Sequence, residues 1–561
     1  MHESGQAAAP VGDQGTTRMT RDPHDITQPP DLTVRHGTGS VRARRPEYID
    51  LLPPCSQACP AGEQVQTWLG LAQAGRHREA WEVIVRDNPF PAIHGRVCYH
   101  PCEPACNRDA LDGAVSIHAV ERFLGDRALA EGWLPPADSP TTGRRVLVIG
   151  AGPSGLSAAW HLARLGHEVH LHDAGGVPGG MMRYGIPAYR LPRAVLDGEI
   201  DRLRRIGVRM EQNRHVQDLE QSWKEGGFDA VFVAVGAHIS KRTEIPTRDA
   251  AHILDAVGYL RDVAEGVPPL LGRRVAIYGG GNTAMDAART AVRLGHEPVI
   301  VYRRDRSHMP AHDFEAQEAI EEGVEIHWLR TIRSIDGPTM TVEVMELDEK
   351  GRPHGTGRLE TLEADDLILA LGQESDTAFL RPVEDVVFDA DGSVVVDSSF
   401  MTGRPGLFAG GDMVPTERSV TVAVGHGKQA ARHIDAWLRG SAFIQPMPSA
   451  LASFDKLNLW YFTDIAHRPE LRSAMAPRLA SFDEVVTGLS AGEAVYEAKR
   501  CLSCGTCFEC DGCLAACPED AVIKLGVGHR YRFDYDRCTG CAACFEQCPC
   551  GAISMLPEPA P

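Results

Sequence analysis

Two stretches of the chain carry the same succession of a short apolar run, a glycine-rich turn and a longer mixed run. In the first, RVLVIGAGPSGLSAAWHLARLGHEVHLHD (145–173), the apolar residues from 146 to 149 predict a buried parallel strand. Gly150, Gly152 and Gly155 then open a helix, and a second strand ends at Asp173. The second stretch, RRVAIYGGGNTAMDAARTAVRLGHEPVIVYRR (273–304), repeats the design, with Gly279, Gly281 and Ala284 at the matching positions and Asn282 beside them. A third, LFAGGDMVPTERSVTVAVGHGKQAARHI (407–434), predicts a short strand, the turn Gly410, Gly411 and Asp412, and a helix of small residues beginning near Thr421. No apolar run reaches about 18 residues, so no transmembrane helix is predicted.

A strand that turns on glycines into a helix cradles a pyrophosphate. Gly150 suits the tight turn, Gly152 lets the backbone approach the phosphates, and Gly155 lets helix and strand pack closely. The helix start offers amide donors and the positive end of its dipole. Asp173, about twenty residues on, can accept bonds from a ribose hydroxyl. A tight turn without a ligand is the plain alternative, and an acid at that distance argues against it. The second stretch ends instead in Tyr302, Arg303 and Arg304, with Arg306 just beyond. Guanidinium groups pair with a 2′-phosphate that an acid would repel, which favours NADPH over NADH. Solvated surface arginines are the alternative, since Asp305 lies among them.

A chain of 561 residues exceeds one core and predicts three or four domains. Its net charge of −19 argues against nucleic acid or an anionic membrane as partner. The first residues lack a basic segment followed by an apolar one, so no secretory signal is expected. Residues 1–45, rich in Gly, Pro, Thr and Arg, are expected to form a disordered leader. The 23 histidines are mostly scattered. His167, His170 and His172 cluster on the strand before Asp173, but alternation puts His167 on the opposite face, a poor geometry for a shared metal.

The sixteen cysteines change the picture. Five lie between Cys55 and Cys106, eleven between Cys501 and Cys550, and none in between. Tight groups in a chain without an export signal point to metal and to a cytoplasmic setting. The runs CFECDGCLAACPEDAV (507–522) and CTGCAACFEQCPCGAI (538–553) both contain C-x2-C-x2-C-x3-C-P. In that spacing three cysteines of a run hold one 4Fe–4S cluster and the fourth crosses to the other. One cluster then takes Cys507, Cys510, Cys513 and Cys548, and the second takes Cys538, Cys541, Cys544 and Cys517. Zinc ribbons space their CxxC pairs more widely. Cys550 falls outside the pattern, as a packed small side chain or a free thiol.

The stretches GGMMRYGIPAYRLP (179–192), GGGNTAMDAAR (279–289), VYRRDRSHMPA (301–311) and LALGQ (369–373) resemble the glutamate synthase small (β) subunit family, which includes the flavin half of dihydropyrimidine dehydrogenase. The resemblance covers about residues 50 to 440. It implies FAD on the first fingerprint, with Gly180, Arg183, Gly411, Asp412 and Thr421 as further contacts. It implies NAD(P)H on Gly279, Gly281, Asn282, Ala284, Arg303 and Arg304. It also implies a helical N-terminal module with two 4Fe–4S centres, built here on Cys55, Cys59, Cys98, Cys102 and Cys106. The family's EAxRCLxC segment is missing from residues 45–54, yet residues 497–504 read EAKRCLSC. On this resemblance one centre would comprise Cys55, Cys106, Cys501 and Cys504. The other would comprise Cys59, Cys98 and Cys102 with Glu121, where the family supplies a non-cysteine oxygen ligand. The plainer alternative is one N-terminal cluster with Cys106 in place of Glu121, so three and four clusters both stay open.

The expected fold is α/β, with two Rossmann-like dinucleotide-binding domains, the nicotinamide domain inserted in the FAD domain. A helical Fe–S domain precedes them and a ferredoxin-like α+β domain follows. The expected boundaries are 1–45 leader, 46–140 helical Fe–S domain, 144–268 with 372–440 FAD domain, 269–371 nicotinamide domain, 441–496 return segment and 497–561 ferredoxin domain. The expected function is electron transfer between NAD(P)H, FAD and 4Fe–4S clusters, as a subunit serving a larger catalytic partner. Rival readings are a self-sufficient NAD(P)H:ferredoxin oxidoreductase, a glutamate synthase small subunit, and a non-enzymatic redox sensor. The nucleotide domains have no CxxC pair for disulfide chemistry.

Overall fold

The computed structural model describes residues 42–136, 139–241, 243–248 and 252–558. They form two compact units. One comprises the described residues of 50–506, and the other joins 42–49 with 507–558.

In the larger unit the first apolar stretch forms the strand Arg145–Ile149 at the centre of a five-stranded parallel sheet. The order is Leu407–Ala409, Ala230–Val233, Arg145–Ile149, Glu168–His172 and Arg209–Glu211. The helix Pro153–Arg164 leaves the glycine turn and packs along Val420–Leu438. That contact is close because Gly427 has no side chain: a Cβ there would collide with the Ser154 carbonyl. The second stretch builds another parallel sheet, ordered Glu325–Trp328, Glu297–Tyr302, Arg274–Tyr278, Asp366–Leu369 and His252–Asp255. Its edge strand starts at residue 252, well before the expected boundary at 269. The half-exposed edge position leaves that strand without a continuous apolar run to mark it. An antiparallel layer, Arg330–Asp336, Thr339–Leu347 and Pro353–Glu363, covers this domain and was not anticipated.

The N-terminal module is helical, as expected. Pro91–Val97 crosses Ile117–Ala130 so closely that a Cβ on Gly95 or Gly125 would meet the other helix's backbone. The helix Ala491–Lys499 joins the same core, with Ala494 and Ala498 buried beside Trp68 and Leu69. Its start is fixed by a capping box between Ser490 and Glu493. Residues 497–506 therefore belong to the larger unit rather than to the ferredoxin domain, whose unit begins at Cys507.

In the smaller unit the two cysteine runs form matching turns. Glu509 and Asp511 (φ 60° and 63°) correspond to Gly540 and Ala542 (71° and 67°). The leader expected over 1–45 lies outside the described residues up to 41, and its last residues are ordered. Arg42 is buried and pairs with Glu558 at 2.7 Å, and Arg44–Tyr48 is a strand antiparallel to Ile553–Pro557. Its backbone bonds come from a partner some five hundred residues away, which local composition cannot show.

Candidate cofactor cavity and cysteine sites

Both glycine turns open onto one cavity of about 650 Å³ in the larger unit. Gly150, Gly152, Asp173, Gly180, Gly281, Asn282, Gly411 and Asp412 line it. Gly152 and Gly281 start the two fingerprint helices, and a Cβ on either would meet no protein atom within 4 Å. That is the space a pyrophosphate needs. Gly155 and Ala284 do not line the cavity, because their part is to let helix and strand touch: a Cβ on Gly155 would strike the Gly150 carbonyl, and Ala284 is fully buried. Gly279 (φ 148°) lies against the Ala370 carbonyl in the same way.

Asp173 accepts the Ala151 N–H at 2.6 Å on Oδ2 and the Gly175 N–H at 2.8 Å on Oδ1, which aims the carboxylate beside the turn. Burial pushes the Asp412 carboxyl up to about 6, and Arg418 opposes the shift. Two expected contacts turn elsewhere. Arg183 donates to the Pro178 carbonyl at 2.7 Å and pairs with Asp197, so it holds the 179–185 turn rather than facing the cavity. Thr421 is buried with its hydroxyl against the Cys98 sulfur, while Val420 and Ala423 face the cavity. Residues one apart on a helix point about 100° apart, so the offset is one position. Tyr99, Arg190, Arg214 and Arg418 also line the cavity. They come from loops far apart in the chain, with no motif to mark them.

Arg303 is exposed and Arg304 half-buried, just past the strand that ends at Tyr302. Neither forms an ion pair among the described residues, and the buried Nε of Arg304 has no partner. Asp305, the acid between Arg304 and Arg306, is occupied by His308 at 2.7 Å and Ser307 at 2.8 Å.

The cysteines gather as four groups. Cys55, Cys106, Cys501 and Cys504 line one small cavity. Arg500 brings the last two there: fully buried, it bonds Asp112 at 3.0 Å and the Gly113 and Ala114 carbonyls at 2.7 and 2.8 Å. Burial pushes the bare thiol of Cys501 up to about 12, with Cys504 adding to the shift. Cys59, Cys98 and Cys102 lie around the buried Glu121, whose carboxyl is raised by burial and by Glu63. Asn88 bridges the two acids, at 2.9 Å to Glu63 and 2.7 Å to Glu121. In the smaller unit Cys517 joins Cys538, Cys541 and Cys544 around one cavity, and Cys548 lies with Cys507, Cys510 and Cys513.

One local geometry recurs. The residue two after a cysteine adopts a left-handed backbone and donates its N–H to that sulfur. Examples are His100 to Cys98 at 3.2 Å, Ser503 to Cys501 at 3.4 Å and Gly540 to Cys538 at 3.4 Å. At His100 and Ser503 this costs about 1 kcal/mol or more, which folds tolerate chiefly where a site needs it. The donor sets thus suit clusters ligated by thiolates. His167, by contrast, bonds Asp435 at 2.9 Å, while His170 and His172 pack on Phe228, as their alternation suggested.

Two facing dinucleotide folds with four gathered groups of cysteines define a flavoprotein that joins a nicotinamide nucleotide to iron–sulfur centres. The chain belongs to the pyridine nucleotide-disulphide oxidoreductase family, which matches residues 144–427. Residues 48–133 match dihydropyrimidine dehydrogenase domain II, 4Fe-4S cluster, and residues 506–552 match the 4Fe-4S dicluster domain. It is similar to the NADP(+)-dependent formate dehydrogenase subunit beta of Moorella thermoacetica, 34% identical over 80% of this chain and 70% of that one. The NADPH-Fe(3+) oxidoreductase subunit beta of Geobacter sulfurreducens is 30% identical over 80% and 75%. The glutamate synthase [NADPH] small chain of Azospirillum brasilense is 35% identical over 70% and 87%. The protein is an NAD(P)H-dependent FAD and iron–sulfur oxidoreductase, as the quoted stretches implied.

Proposed function

We propose that the chain is the NADPH-oxidising, electron-transfer subunit of a larger cytoplasmic oxidoreductase and carries four 4Fe–4S clusters. The observation that carries this reading is the contact between the cavity and the cysteines. Val97 and Tyr99, on either side of Cys98, line the cofactor cavity, and Thr421 on the cavity's helix touches the Cys98 sulfur. A bound flavin accepts electrons as a pair and releases them singly, which suits a nucleotide on one side and clusters on the other. The residues position and insulate. The first glycine turn and Asp173 hold FAD, and the second turn, with Asn282, holds the nucleotide. Half-buried Arg190 bonds Asp286 at 2.7 Å and so ties the two dinucleotide folds across the cavity.

Fifteen cysteines and Glu121 make sixteen ligands for the four clusters, leaving Cys550 over. Relatives named as beta subunits of a formate dehydrogenase and an Fe(3+) oxidoreductase support a partner-bound role. Among the described residues no helix is long and apolar enough to cross a membrane. The test is affinity purification from native cells beside steady-state assays with ferredoxin alone. A co-purifying redox subunit and slow reduction of free ferredoxin are expected. Fast NADPH:ferredoxin turnover by a chain that purifies without a partner would overturn the subunit reading.

Replacing Arg303 and Arg304 with Gln is expected to erase a preference for NADPH. Charge-assisted bonds to a 2′-phosphate contribute about 1.5–3 kcal/mol, or roughly 10- to 100-fold in kcat/KM. The unmodified protein using both nucleotides equally would remove the basis of this assignment.

A further inference from the structure

The dicluster run holds one cysteine more than its clusters need, and the first described strand brings a tyrosine to the same place. Cys550 is buried, with its sulfur 3.7 Å from that of Cys548. The hydroxyl of Tyr48 lies 3.6 Å from the sulfur of Cys513. Both sulfurs belong to the cluster set Cys507, Cys510, Cys513 and Cys548. We propose that Tyr48 and Cys550 set the reduction potential of this cluster by donating hydrogen bonds to two of its four ligand sulfurs. The inference rests on the ligation proposed above.

Ligation fixes the direction of both bonds. A cysteine bound to iron is a thiolate with no proton to give, so Tyr48 O–H and Cys550 S–H are the donors. Neither is a chance surface contact. Tyr48 is registered opposite Ile553 by the strand pairing, and its ring stacks on Phe533 at 5.1 Å between centroids. Ile49 donates to the Ala552 carbonyl at 3.0 Å, which fixes the strand beside the turn that carries Cys550. Cys550 itself sits in the small unit's core with Cys513, Cys544 and Ile553.

The effect on potential follows from charge. Taking up one electron adds one negative charge, shared between the cluster and its sulfurs. Donors aimed at those sulfurs stabilise the reduced state more than the oxidised one and raise the potential. The tyrosine, with the stronger donor, carries the larger share.

The test is an EPR-monitored redox titration of the full chain, purified anaerobically, with iron determined on each sample. Tyr48→Phe keeps the stacked ring and loses the donor. It is expected to lower the reduced-to-oxidised ratio of one ferredoxin cluster about tenfold at fixed potential, which is ~59 mV for a one-electron couple. Cys550→Ala is expected to lower it by about threefold, and Cys550→Ser, which keeps an O–H donor, to restore part of that loss. Full iron with unshifted potentials in both Tyr48→Phe and Cys550→Ala would overturn the inference and leave the ligand assignment standing. Loss of about four irons in Cys550→Ala would overturn both, because Cys550 would then be a ligand.

Discussion

Valine at position 152 is expected to give a protein that keeps its iron and purifies without flavin. Gly152 has φ −81° and ψ −177°, an extended conformation open to any residue, so the substitution adds no backbone strain. A Cβ there meets no protein atom within 4 Å, so the fold has room for it. The loss of glycine at the helix N-cap costs the helix on the order of 1 kcal/mol. The isopropyl group instead stands where the backbone must approach the pyrophosphate. A displaced diphosphate gives up several amide bonds, and losing even two charged hydrogen bonds lowers affinity by about 3–6 kcal/mol, or more than 100-fold. Gly155→Val is the contrasting case. Its Cβ would strike the Gly150 carbonyl, so that variant is expected to lose the fold along with the flavin. Flavin absorbance against iron content distinguishes the two. A Gly152→Val protein with full flavin would mean that the first turn does not bind the dinucleotide.

The parts that sequence made legible are those whose signal is local. Strand, glycine turn and helix lie within thirty residues in both fingerprints, and eight cysteines within fifty residues define the two ferredoxin runs. What escaped depends on distant partners. Arg44–Tyr48 is too polar to read as a strand until Ile553–Pro557 pairs with it, so Tyr48 went unnoticed. Arg183 lies in a family-like stretch, but its partner Asp197 takes it away from the cavity. Thr421 and its neighbours Val420 and Ala423 divide two tasks by helix rotation, which a motif read residue by residue does not resolve. Arg190 and Arg418 reach the cavity from separate loops, and charge alone does not distinguish them from the chain's other arginines.

Cys501→Ser with Cys504→Ser is expected to remove about four irons per chain from an anaerobically reconstituted sample and to spare both ferredoxin centres. The two thiols arrive at Cys55 and Cys106 by way of the return segment, and that path is held along its length. Asn107 donates to the Ala452 carbonyl at 2.8 Å, Arg108 to the Thr463 carbonyl at 2.8 Å, and Ile465 to Asp112 at 2.7 Å. Further on, Arg472 pairs with Glu318 at 3.0 Å and buried Arg478 with Glu322 at 2.8 Å. The helix Ala491–Lys499 then buries Ala494 and Ala498 in the Fe–S module's core, and Arg500 locks the turn. Each of these contacts survives the double serine variant, so the polypeptide is expected to keep its shape and lose the cluster alone. Serine is a poor substitute, because its hydroxyl does not ionise at neutral pH as a metal-bound thiol does. Arg500→Met gives a second measure. Removing one partner of a buried ion pair costs about 3–5 kcal/mol, which would loosen the segment and lower both stability and iron content. An unchanged iron content of about twelve in the double serine variant would instead mean that three clusters exist. Cys501 and Cys504 would then be bystanders in a cavity that binds no metal.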